Sequence, residues 1–155
     1  MYSKFGQFID GKWQPSEKNE TYEVINPATE EVIGNASKAT PGDVEKALKS
    51  AEKGFTIWKK TQPWQRASII RKIADLMRKK NDVLAKWLTL EVGKPLAEGA
   101  GEVNGAADIF EWNAEETKRI YGQTVESRFE NTRVHVYYQP VGVVAALIPW
   151  NFPII

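Results

Sequence analysis

Val141-Gly142-Val143-Val144-Ala145-Ala146-Leu147-Ile148, followed by Pro149-Trp150-Asn151-Phe152-Pro153, is the stretch on which the fold turns. Its first eight residues are almost continuously apolar, the pattern of a strand covered on both faces in a parallel sheet. A strand exposed on one face alternates instead, as Arg133-Val134-His135-Val136-Tyr137-Tyr138 does just before it. Parallel neighbours need crossover connections of about a dozen residues or more. Only seven residues follow Ile148. The expectation is therefore a piece of a larger α/β protein. Pro149 and Pro153 fix φ and end the strand, so the chain turns away where it leaves the sheet. In open α/β sheets ligands bind at the carboxyl ends of strands. Asn151, in that turn, carries an amide NH₂ that can donate to a developing oxyanion. The alternative at this point is a plain loop with Asn as a turn former.

Upstream, the period is helical. Thr40 is a candidate N-cap, with Pro41 at the first position and Asp43 in the first turn. Val44, Ala47, Leu48, Ala51, Phe55 and Trp58 then follow one stripe. A second helix starts near Pro63 and is predicted to bury Ile69, Ile70, Ile73 and Met77. Asn81-Asp82 recap a third, from Val83 to Val92, which Gly93 and Pro95 stop. A fourth carries Leu96, Ala100, Val103, Ala107, Phe110 and Ala114 on one face and is predicted to end at Gly122. At the beginning, Phe8-Ile9-Asp10-Gly11-Lys12-Trp13 reads as a hairpin on an Asp-Gly type I′ turn. Tyr22 to Ile25 and Glu31 to Gly34 are short strands about an Asn26-Pro27 turn.

Composition excludes several chemistries. Lys plus Arg is 21 and Asp plus Glu is 20, so no field is available to gather nucleic acid or an anionic membrane. There is no cysteine and a single histidine. That removes disulfides, thiolate metal sites, a cysteine nucleophile and Ser-His-Asp machinery from these residues. No apolar run approaches the roughly 20 residues of a membrane span. Met1 to Asp10 lacks the pattern of a signal peptide. A cytoplasmic location is the default expectation.

Other candidate motifs have simpler readings. Gly99-Ala100-Gly101-Glu102-Val103-Asn104-Gly105 has dinucleotide-loop spacing but follows no strand, so it reads as small residues for close helix packing. Gly93-Lys94 has neither the upstream Gly nor the following Ser or Thr of a phosphate loop. His135 faces away from Val134 and Val136 and reads as a surface residue. Glu111, Glu115, Glu116, Lys118 and Arg119 read as a solvated helix face with local charge pairs. Glu91 reads as an exposed helix-end carboxylate, and no metal site is expected.

Pro140-Val141-Gly142-Val143-Val144 with Ile148-Pro149-Trp150-Asn151-Phe152-Pro153 resembles the first cofactor-domain strand and turn of the NAD(P)-dependent aldehyde dehydrogenases. Phe8 to Trp13, Val24-Ile25-Asn26-Pro27-Ala28-Thr29 and Glu91-Val92-Gly93-Lys94-Pro95-Leu96 fall where that family carries similar segments. The resemblance covers essentially the whole chain. It implies small N-terminal β elements, three to four helices, an oligomerisation-type strand pair and the first buried parallel strand of the cofactor domain. The implied segments are 1–124, the N-terminal part of the cofactor domain; 125–139, a projecting oligomerisation hairpin; and 140–155, the strand and its turn.

The family reaction oxidises an aldehyde to an acid with NAD or NADP, through a cysteine thioester hydrolysed by a Glu-activated water. The resemblance places the oxyanion amide at Asn151 and the cofactor along Ile148, Pro149, Trp150 and Asn151. It places Phe152 beside the substrate tunnel. The nucleophile and base would come from sequence outside these residues, so the chain by itself is expected to be inactive. Glu111 to Gly122 is similar to the same segment of succinate-semialdehyde dehydrogenases and related enzymes, except for Asn113, where that branch usually has Phe. The implied partners are a small aldehyde substrate and further copies in a homo-oligomer. The competing expectation is a stand-alone, non-catalytic oligomerisation or interaction module of the same descent.

Overall fold

The Asp10-Gly11 pair turns as its chemistry dictates. In the computed structural model both residues have positive φ, 54° and 75°, and they join β1 (Gln7–Ile9) to β2 (Lys12–Gln14) in an antiparallel ladder. Phe8 and Trp13 face each other across it with ring centroids 5.1 Å apart. The structure describes residues 6–155. The first five residues of segment 1–124, and the part of the signal-peptide reading that rests on them, lie outside the described residues.

β3 (Thr21–Ile25) pairs antiparallel with β4 (Val32–Ser37). The Asn26 side chain closes the intervening turn by accepting from the Ala28 N–H at 2.9 Å. The helices are α1 (Pro41–Trp58), α2 (Pro63–Lys79), α3 (Asn81–Val92) and α4 (Leu96–Glu116), followed by a 3₁₀ turn at Thr117–Arg119. β5 (Gln123–Glu126) and β6 (Arg133–Val136) form a last antiparallel hairpin, exposed along both strands. His135 lies on its surface, with Nδ1 3.1 Å from Thr124 Oγ1. Among the described residues no helix is long and apolar enough to cross a membrane.

The core lies where α2 and α3 pack on α4. Its buried members are mostly small: Ala67 and Ala74 from α2, Ala85 from α3 beside the larger Leu88, and Gly99, Val103, Ala106, Ala107 and Ala114 from α4. A Cβ on Gly99 would stand 3.1 Å from the Ala85 carbonyl oxygen, so this glycine serves helix approach. A Cβ on Gly101 would meet nothing within 4 Å and one on Gly105 only the Ile155 side chain, so the close-packing expectation holds for Gly99 alone. Gly93 ends α3 in the left-handed region at φ 76°, and Pro27 packs so close that a Cβ there would come within 2.9 Å of its ring.

Several expectations change. Ile69 and Ile73 are exposed and Ile70 and Met77 half-buried, because α4 approaches α2 on the alanine face instead. The α1 stripe lies on one face, yet Val44, Leu48 and Trp58 remain exposed because no other helix covers it. α4 stops at Glu116 rather than Gly122, tightening into the 3₁₀ turn. Asn81 does not cap α3; its amide spans to the Ala100 carbonyl at 3.0 Å and to Asn104 Oδ1 at 2.9 Å on α4. The acidic end of α4 is no merely local charge face. Arg78 of α2 bridges Asp108 and Glu111, and Arg71 reaches Glu115.

The largest difference concerns residues 141–148. They join no ladder, and Val141 and Leu147 are 93% and 96% exposed. No strand stands beside them among the described residues, so the covered position their composition calls for is not provided here.

Candidate active site

The turn that follows this segment is held from below. Residues 150–153 leave the extended chain, and the backbone carbonyl of Asn151 accepts a hydrogen bond from Lys94 Nζ at 2.9 Å. The same ammonium stands 4.0 Å from the centroid of the Phe152 ring, a cation–π arrangement. Lys94 lies in the short link between α3 and α4, after the left-handed Gly93 and before Pro95, which precedes the first turn of α4.

Lys94 Nζ is itself fixed by Glu102, on the second turn of α4, at 2.5 Å from Oε2. The Glu102 side chain is 1% exposed and that of Lys94 12%. Its other oxygen, Oε1, accepts from the Ile154 N–H at 3.0 Å. One buried carboxylate thus ties the α3–α4 link to the residues on the far side of Pro153. Removing one member of such a buried pair typically costs about 3–5 kcal/mol, because the other charge is left uncompensated.

The sequence-predicted residues occupy one continuous edge. Ile148 and Trp150 are exposed, Trp150 at 78%, and Asn151 and Phe152 present themselves beside them. Asn151 and Phe152 are brought together with Lys94 and Glu102, two residues the sequence reading left out. A signal for them existed. Glu102 lies three residues after Gly99 and four before Ala106, on the face that is buried. A carboxylate there requires a cation, and Lys94, eight residues earlier and just before the start of α4, supplies one. Ile148, Pro149 and Trp150 are exposed at the end of the extended segment.

The profile of the aldehyde dehydrogenase family matches residues 13–155, and the chain belongs to that family. It is 42% identical over 146 residues to a glutarate-semialdehyde dehydrogenase of Pseudomonas aeruginosa. It is 41% identical over 145 residues to the succinate-semialdehyde dehydrogenase (NADP⁺) of Escherichia coli. Each alignment covers 94% of this chain and 30% of the relative. A crystal structure of a betaine aldehyde dehydrogenase mutant from Staphylococcus aureus, in complex with NAD⁺, superposes with a TM-score of 0.91 at 31% identity. That superposition covers 97% of this chain and 31% of the other. The chain therefore spans about a third of the length of the relatives it matches.

Proposed function

We propose that these residues serve in an aldehyde dehydrogenase that converts an oxo-acid semialdehyde, of the succinate or glutarate type, to the corresponding acid with NAD or NADP. Asn151 supplies the oxyanion amide. The observation that carries the reading is an exposed Asn151 in a turn between two prolines, with its backbone anchored by a buried ion pair. When a nucleophile adds to the aldehyde carbon, the carbonyl electron pair moves onto oxygen. A preset amide N–H stabilises that charge as it forms. The chain contains no cysteine, so a thiolate nucleophile has to come from outside these residues.

Ile148, Pro149 and Trp150 would hold the dinucleotide at the end of the extended segment, and Phe152 would border the aldehyde. Bound there, NAD or NADP supplies the hydride acceptor. The semialdehyde class rests on the relatives' identities and on the similarity of residues 111–122 noted above. The β5–β6 hairpin, whose first strand begins at Gln123, two residues before the expected segment 125–139, joins copies into a homo-oligomer, which its solvent-exposed strands favour.

The test is Asn151→Ala in a catalytically active polypeptide that contains these residues, assayed with succinate and glutarate semialdehydes and each dinucleotide. Turnover is expected to fall on the order of 10²–10³-fold, the usual loss for one oxyanion donor, with KM little changed. An unchanged kcat removes Asn151 from the mechanism.

A further inference from the structure

We infer that Lys94 and Glu102 are positioning residues for the oxyanion amide of Asn151, an inference that rests on the function proposed above. An oxyanion donor contributes only if its place is fixed before charge develops. Asn151 lies in an exposed turn after a segment that joins no ladder among the described residues, so no ladder among them fixes it. The clamp from the α3–α4 link does. Lys94 holds residue 151 by its carbonyl and residue 152 by its ring, and Glu102 holds residue 154 by its N–H. These contacts lie on both sides of Pro153, whose own φ is locked. Three successive non-proline residues of the turn are thereby fixed to α4.

The residue types suit the task. A lysine ammonium is a compact charge with three donors that serve different partners. Here the partners are a carboxylate, a carbonyl and a ring face. Glu102 is rigid because it sits within α4 among buried Gly99, Val103 and Ala106. Lys94 contacts Asn151 through the backbone carbonyl, so its influence on the side-chain amide passes through the turn.

The experiment is a double-mutant cycle in the active enzyme carrying these residues, with succinate semialdehyde as substrate. Lys94→Met keeps the apolar stem and removes the charge and donors. It is expected to lower kcat by on the order of 10–100-fold with KM within about threefold, the scale of a misplaced reacting group. In an Asn151→Ala background the same change should cost less than about threefold more, because no amide remains to be placed. Glu102→Gln still accepts from Ile154 and is expected to cost about 3–10-fold, with the same non-additivity.

Equal losses in both backgrounds would mean that the pair serves general stability, and would overturn the inference. So would wild-type kcat in Lys94→Met alongside a slow Asn151→Ala, a result that leaves the oxyanion role of Asn151 standing. An unimpaired Asn151→Ala overturns that role and this inference together. If Lys94→Met does not fold, the Glu102→Gln cycle decides by the same criteria.

Discussion

Asp43 concentrates more hydrogen bonds than any neighbouring carboxylate in its corner of the molecule. Its Oδ2 accepts from the Thr40 N–H at 2.9 Å, while the Asp43 N–H donates back to Thr40 Oγ1 at 3.1 Å, completing a capping box. It also accepts from the Glu17 N–H at 3.2 Å and from Gln7 Nε2 at 3.3 Å. The backbone N–H of Thr40, above all, holds its carboxyl below the usual carboxylate value. A group whose folded pKa is depressed adds stability that is complete above its unfolded pKa and is lost as pH falls through the folded one. Urea midpoints measured against pH should therefore decline below about pH 4, the ordinary aspartate range. Asp43→Asn should flatten that decline; an equally steep profile in the variant would assign the acid sensitivity to other carboxylates. The cap itself was legible, because Thr40, Pro41 and Asp43 are neighbours in sequence. The links to Gln7 and Glu17 span 36 and 26 positions, and local pattern has no access to them. Lys94 and Glu102 escaped for a related reason: each is ordinary alone, and only burial of the pair gives it meaning.

Among the elements, periodicity identified the four helices and the stop of α3 at Gly93, but ran α4 on to Gly122 and misplaced part of the buried face. A hydrophobic stripe states which residues prefer cover; which ones receive it depends on how close the partner helix comes. The covered residues of α2 are Ala67 and Ala74 and those of α4 include Ala106, Ala107 and Ala114, so large side chains such as Ile69 and Ile73 are left outside the contact. Small residues on both surfaces allow a close interaxial approach, and such an interface has no space for added volume. Ala74, fully buried, is the clearest case. Ala74→Leu should destabilise by about 1–3 kcal/mol through overpacking, despite being more hydrophobic. Denaturant unfolding of the variant measures it, and a gain in stability would mean that the helices separate at low cost. The Arg78 bridge to Asp108 and Glu111 lies on the half-exposed rim of the same contact. It spans α2 and α4 and contributes at most about 1 kcal/mol.

At the scale of the whole molecule, the uncovered surfaces are those the sequence marks as interior or as joining other copies. Residues 141–148 lie open, the α1 stripe has no helix against it, and both strands of the β5–β6 hairpin are exposed. A groove of about 550 Å³ beside them is lined by Phe55, Trp58, Ile70, Ile120, Tyr138 and Pro140. Burying a Val, Leu or Ile side chain is worth about 1.5–3 kcal/mol. Val141, Val144, Leu147 and Ile148 together forgo an amount comparable to the whole stability of an ordinary domain, about 5–15 kcal/mol. A polypeptide of these 155 residues alone should therefore recruit other apolar surface. Two measurements follow: strong binding of an apolar dye, and elution on gel filtration as a species larger than a monomer that grows with concentration. Charges placed in the segment, Val144→Lys with Leu147→Lys, should reduce both while the helical circular-dichroism signal is kept, because the segment makes no ladder that the change could break. A monomer that binds no dye at high concentration would show that the segment folds back onto the groove or the α1 stripe in solution. The covered environment its composition calls for would then be met within these residues.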